Sequence, residues 1–269
     1  MLKFPMRNAL LAFGIAALGA LSAPASAAEH GAAVESRDWS FNGPFGTYDR
    51  AELQRGYQVY KEVCSACHSL NRIAFRNLSD AGGPGFTELE VRALAASYQI
   101  PAEPNERGET TDAEGRPLMR EALPSDYFPS RFPNDNAARA SNNGALPPDL
   151  SLITKARDGG SDYIYALLTG YGHEVPAGVT VNPGQYYNPY FLGGLLAMPQ
   201  PLFANQVTYA DGTEASIEQM AHDVTAFLTW TAEPKMEERK SLGFAVILFL
   251  IAFSGLCFLS YRKLWHGEH

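Results

Sequence analysis

The chain is poor in cysteine. Three stand among its 269 residues, at Cys64, Cys67 and Cys257. Cys257 lies inside an apolar run far from the other two, so no spare cysteine is left to staple the loops. No stretch alternates apolar and polar residues over a useful length, which argues against a sheet-built body. Nor does any segment repeat. Basic charge is also short, with 21 Lys and Arg against 29 Asp and Glu. That balance argues against a nucleic-acid partner and allows electrostatic steering of a basic one. Charge of either sign is missing altogether from Leu242 to Tyr261.

That uncharged run, LGFAVILFLIAFSGLCFLSY, would cover about 30 Å as a helix, the thickness of a bilayer core. A helix buried in a soluble domain is rarely apolar on every face for so long. The run predicts one transmembrane anchor over 241–261. Basic residues flank it on both sides, so their count does not set its orientation. The other end does. Lys3 and Arg7 precede an apolar stretch from Ala9 to Leu21, and Ser22-Ala23-Pro24-Ala25-Ser26-Ala27 supplies small residues for cleavage. This is the layout of a secretory signal peptide over 1–27. The expected organisation is an exported body over 28–240, the anchor, and a cytoplasmic tail over 262–269. The acidic excess then grows, because Lys3 and Arg7 leave with the signal.

Within the body, Cys64-Ser65-Ala66-Cys67-His68 has the Cys-x-x-Cys-His spacing of c-type haem attachment. The two thiols add to adjacent vinyl groups, and the histidine beside the second reaches the iron. A zinc site would need two more ligands. A redox dithiol belongs in a βαβ pattern that is absent here, and a plain disulfide leaves His68 unexplained.

Helical spacing frames the motif. Asp49 with Glu52 resembles a capping box, and Leu53, Gly56, Tyr57, Tyr60 and Val63 then form one stripe. A matching helix closes the body, with Ser216 and Gln219 at its start and Ile217, Met220, Ala221, Val224, Phe227 and Leu228 along one face. Thr87 with Glu90 starts another, and Tyr163 to Tyr171 a fourth, stopped by Gly170 and Gly172. Residues 99–148 read as a long irregular connection, acidic at Glu103, Glu106, Glu109, Asp112 and Glu114, and thus a candidate docking surface for a basic cytochrome. The fold class expected is mainly α: a cytochrome c-type haem domain with long irregular loops plus one C-terminal transmembrane helix.

The sixth iron position decides what such a haem does. Met198 sits in Gly193-Gly194-Leu195-Leu196-Ala197-Met198-Pro199, where glycine permits close approach and proline fixes direction. Met220 reads as core, Met236 lies beside the membrane and Met119 lies in the connecting loop. His173 and His222 are the rival ligands. Residue spacing alone leaves the choice open.

Taken together, Trp39–Gly46, Cys64–His68, the run from Ala140 to Ser151 (ASNNGALPPDLS), Asn188-Pro189-Tyr190-Phe191, Met198-Pro199 and Ala232-Glu233-Pro234 resemble the cytochrome c1 family across the mature chain. The resemblance implies one covalent haem c, with Met198 opposite His68 on the iron. It implies Arg157 and Tyr163 at the propionates, and Asn142 and Pro148 lining the pocket. Asp158 and Ser161 stand where the family often has His and Glu, so contacts of those side chains are not carried over.

By the same resemblance, the partners are cytochrome b and Rieske iron–sulfur subunits, membrane lipid, and a soluble or tethered cytochrome c as acceptor. The location implied is a bacterial cytoplasmic membrane with the haem domain on the periplasmic side. No nucleophile, general base or substrate pocket is evident, so the chain alone is expected to catalyse nothing. The alternatives are a tethered cytochrome c serving another oxidase, or an open-iron haem enzyme or gas sensor.

Overall fold

A computed structural model describes residues 31–267. The signal-peptide reading over 1–27 lies outside them. The body is built from five helices: α1 (Arg50–Glu62), α2 (Glu88–Ala96), α3 (Asp135–Ser141), α4 (Gly160–Thr169) and α5 (Ile217–Ala232). A sixth, α6 (Met236–Leu264), leaves the body as the anchor. Two strand pairs interrupt the loops. β1 (Gln99–Pro101) runs antiparallel to β2 (Met119–Glu121), and β3 (Tyr186–Tyr187) to β4 (Leu195–Leu196). At two or three residues each, these strands are too short to show as alternation in the sequence.

The centre of the body is the crossing of α1 and α5. Gly56, Leu53, Val59 and the rings of Tyr57 and Tyr60 are buried on α1, facing Met220, Ala221, Val224 and Phe227 on α5. The Phe227 ring lies 5.7 Å from Tyr57 and 5.9 Å from Tyr60. Each fully buried aliphatic or aromatic side chain of this kind contributes about 2 kcal/mol. α4 covers another side of α5, where Ser161 Oγ meets Thr229 Oγ1 at 2.8 Å. With helices on two sides, Asp223 through Leu228 are all buried. A carboxylate is therefore taken into the core, and it is matched there. Arg55 donates to both Asp223 oxygens, at 2.9 and 3.0 Å, and Gln219 adds a third donor. Such a pair is tolerated because its hydrogen bonds are complete.

The helix starts differ in detail. Thr87 and Glu90 form the full reciprocal box at α2. At α1, Asp49 caps the backbone, but the Glu52 carboxylate accepts from Ser40 Oγ. At α5, Ser216 caps Gln219 N while the Gln219 amide turns to Asp223. Two of the three boxes are thus half formed, because tertiary partners outcompete the local one.

Tail and body are continuous. α6 has 29 residues, about 43 Å at helical rise, and extends beyond the Leu242–Tyr261 run at both ends. Its first turn packs on the body through Met236, which is buried. None of the apolar run is buried, the state of a helix whose solvent is lipid.

Candidate haem site

The Cys64–Ala66 stretch is a single 3₁₀ turn directly after α1. Cys67 N donates to Cys64 O at 3.1 Å and His68 N to the same oxygen at 2.9 Å. This turn gathers both thiols and the imidazole at one helix end. Neighbours hold it: Tyr60 Oη donates to His68 O at 3.2 Å, and Arg131 Nε to Ala66 O at 3.1 Å. Burial pushes the Cys64 thiol up to about 12, with Cys67 adding to the effect. Both cysteines are unbridged.

His68 is fixed by a main-chain acceptor. Its Nδ1 lies 2.7 Å from Pro148 O. A carbonyl can only accept, so Nδ1 carries the proton and Nε2 keeps a free lone pair. Burial lowers the imidazole pKa, opposed by the Pro148 bond and the Asp149 charge, and so favours the neutral form that ligates metals. Further bonds stitch 68–72 to 147–151. Leu150 N donates to Ser69 O at 2.9 Å, Asn71 N to Asp149 Oδ2 at 2.8 Å, and Arg72 N to Ser151 Oγ at 3.1 Å. The Pro-Pro-Asp-Leu-Ser run is therefore a rail along which His68 is set.

The Met198 loop follows β4. Tyr171 Oη, just past α4, donates to Met198 O at 3.0 Å. Asn188, fully buried, ties the β3–β4 hairpin to the same helix. Its Nδ2 donates to Leu167 O at 2.8 Å, and its Oδ1 accepts from Tyr190 N at 3.1 Å. Gly194 at φ 74 makes the turn that returns the chain to β4. An apolar cleft beside Met198 is lined by Tyr171, Tyr187, Pro199 and Phe203. The stretch 147–171 thus bonds to His68 near its beginning and to Met198 at its end.

The remaining expected residues divide. Arg157 is exposed and donates to its neighbour Ala156 O at 2.9 Å. Its positive charge is felt at Tyr163, whose phenol burial otherwise pushes up. Main-chain bonds connect their segments, Gly160 N donating to Arg157 O at 3.0 Å and Tyr163 N to Gly159 O at 3.3 Å. Pro148 acts through its carbonyl. Asn142 spends its amide on the end of α3, donating to Ala138 O at 2.7 Å. Asp162, on the first turn of α4, accepts from Trp39 Nε1 at 2.6 Å and so pins the N-terminal aromatic loop to the body.

The acidic connecting loop is less bare than its composition suggests. Glu103 pairs with Arg120 at 3.2 Å, and Arg116 contacts Asp112 at 2.8 Å and Glu114 at 3.1 Å. Three of the five carboxylates proposed for steering are thus matched within the loop itself.

The two thiols beside the oriented His68 nitrogen fit a covalently held haem. With the exposed apolar α6, they define a membrane-anchored c-type cytochrome. Residues 39–268 match the model of the Cytochrome C1 family. The cytochrome b/c1 of Bradyrhizobium diazoefficiens is 49% identical over 97% of this chain, which spans 39% of that longer protein. The mitochondrial cytochrome c1 heme protein of Saccharomyces cerevisiae is 51% identical over 90% of this chain and 75% of its own length. Cytochrome c1 of Rhodospirillum rubrum is 42% identical over 97% of both. The chain belongs to the cytochrome c1 family. It is a redox subunit carrying haem c and not a quinol-binding catalyst, and the reading as a cytochrome of another oxidase is not favoured.

Proposed function

We propose that this chain is the haem subunit of a cytochrome bc1 complex, receiving electrons from a Rieske iron–sulfur subunit and delivering them to a soluble or tethered cytochrome c. Cytochrome b would hold the quinol chemistry and neighbour α6. The observation that carries the reading is the bond from His68 Nδ1 to Pro148 O, which leaves Nε2 as a metal donor beside two unbridged thiols. When bound, the haem supplies reversible one-electron chemistry at a potential set by its axial ligands and burial.

The protein's own residues do the rest. Cys64 and Cys67 would hold the group covalently, His68 and Met198 would supply the two donors to its iron, and Arg157 with Tyr163 would offer charge and a hydroxyl to the propionates. Asn142 and Pro148 belong to the pocket wall. The case for Met198 is helped by what its rivals do. Met220 is fully buried in the α1–α5 core, and His222 stacks on Trp39 at 4.7 Å. Met119 is half exposed on β2, and His173 is exposed.

The body over 28–240 would lie on the periplasmic side of the cytoplasmic membrane after removal of 1–27, with the anchor at 241–261 and the tail at 262–269. Isolation from native membranes tests the assembly. A haem b protein and an iron–sulfur protein should co-purify with this chain. Recovery with an oxidase and neither of them would overturn it.

A further inference from the structure

The N-terminal aromatic loop is tied to the anchor as well as to the body. Thr47 N donates to Ser40 O at 3.1 Å and closes the loop, and Asn42 N donates to Trp39 O at 2.9 Å inside it. The Lys240 ammonium, two residues ahead of the uncharged run, donates to Phe41 O at 2.7 Å and to Gly46 O at 2.9 Å. One cation on α6 therefore grips both ends of the loop tip. Glu237, one turn earlier, accepts from Tyr48 N at 2.9 Å and from Arg50 at 3.0 Å. Gly46 permits this closure, since a Cβ there would lie 2.0 Å from Asn42 O.

The tip, Gly43-Pro44-Phe45, is carried against the start of the span. The Phe45 ring lies 5.8 Å from the Phe244 ring in an edge-to-face contact. Phe45 is 75% exposed. Phe244 is the third residue of the uncharged run, about 3 Å past its first residue at helical rise. A bilayer that takes up the run from Leu242 must reach the level of Phe45 as well. At the base of the loop, Asn42 N, Phe41 O, Gly46 O and Thr47 N have partners.

We propose that residues 43–45 form a second membrane contact, with Phe45 seated in the lipid interface level with Phe244. The occupant is the bilayer itself, because the loop is continuous with the lipid-facing surface of the anchor. Two contacts, one a helix and one a loop locked to it by Lys240 and Glu237, fix the tilt of the haem domain over the membrane. A single flexible stalk would not.

Spin-label accessibility tests this in the intact membrane-bound protein, in vesicles of native lipid. Nitroxides would be attached at Phe45→Cys, at Phe244→Cys as the lipid reference and at Glu106→Cys as the aqueous one, each in a Cys257→Ala background. The ratio of oxygen to nickel-chelate accessibility at 45 should match that at 244 and exceed that at 106. A label at 45 as open to the nickel chelate as the one at 106 would overturn the proposal. So would an immobilised label closed to both reagents, which would mean that a protein covers the site.

Discussion

Gly56 on α1 lies directly against the main chain of Asp223 on α5. A Cβ at residue 56 would stand 2.0 Å from the Asp223 carbonyl oxygen and 2.7 Å from Phe227 Cβ. The helix that leads into the haem motif and the helix that closes the body therefore touch backbone to backbone. No side chain can be added without pushing them apart.

Gly56→Ala should consequently destabilise the body by about 3 kcal/mol, the upper part of the range for overpacking a core. Propensity alone would favour alanine by about 1 kcal/mol within a helix. The sign of the measured change thus decides whether packing or propensity rules. Thermal unfolding of the detergent-solubilised protein, followed by near-ultraviolet circular dichroism, measures it.

His222 makes stability depend on pH. Burial lowers its pKa below the ordinary 6.5, and Arg37 and Arg55 push the same way against the opposing charge of Asp223. The unfolded chain then takes up the proton first. This contribution is complete above pH 6.5, diminishes as pH falls through that value, and levels off below the folded pKa. Glu52, 3.9 Å from Nδ1, acts the other way, since burial raises its carboxyl and favours the folded state as pH falls. Replacing His222 by Phe keeps a ring on Trp39 and removes only the first effect. The melting temperature of His222→Phe should fall less between neutrality and mild acid than that of the parent.

Tyr171 clamps the Met198 loop through one hydrogen bond, worth about 1 kcal/mol. Tyr171→Phe should leave folding nearly unchanged yet loosen the loop. The reduction potential of the haem should fall modestly and methionine ligation should be lost at a lower temperature than in the parent. The absorption band of methionine-ligated ferric haem, followed on heating, reads this directly.

Much of this was legible in the sequence because the informative patterns are local. Cys64 to His68, the charge-free run of α6 and the apolar stripes of α1 and α5 each announce themselves within a few turns of chain. What could not be read is where main-chain atoms and distant partners act. Pro148 matters through its carbonyl, an atom common to every residue, so no side-chain pattern marks its bond to His68. Asn188 is a fully buried amide joining a hairpin to α4, and the Asn-Pro-Tyr-Phe stretch marks the resemblance without showing that bond. The capping boxes at Asp49 and Ser216 are half formed because Ser40 and Asp223 draw away the second partners. The ion pairs of the acidic loop are equally silent in its composition, where Arg116 and Arg120 fold back onto three of its carboxylates.

The account rests on Met198 as the donor opposite His68, and Met198→Leu tests it most directly. Leucine nearly keeps the volume while removing the thioether, a soft donor that raises the potential of haem iron. Cys64 and Cys67 are untouched, so the haem should stay attached. A redox titration of the variant in its membrane complex should show a lower potential, each 59 mV of loss changing a one-electron equilibrium about tenfold. The reduced protein should also bind carbon monoxide at the freed position. An unchanged potential with no carbon monoxide binding would contradict the account and place the donor on another residue.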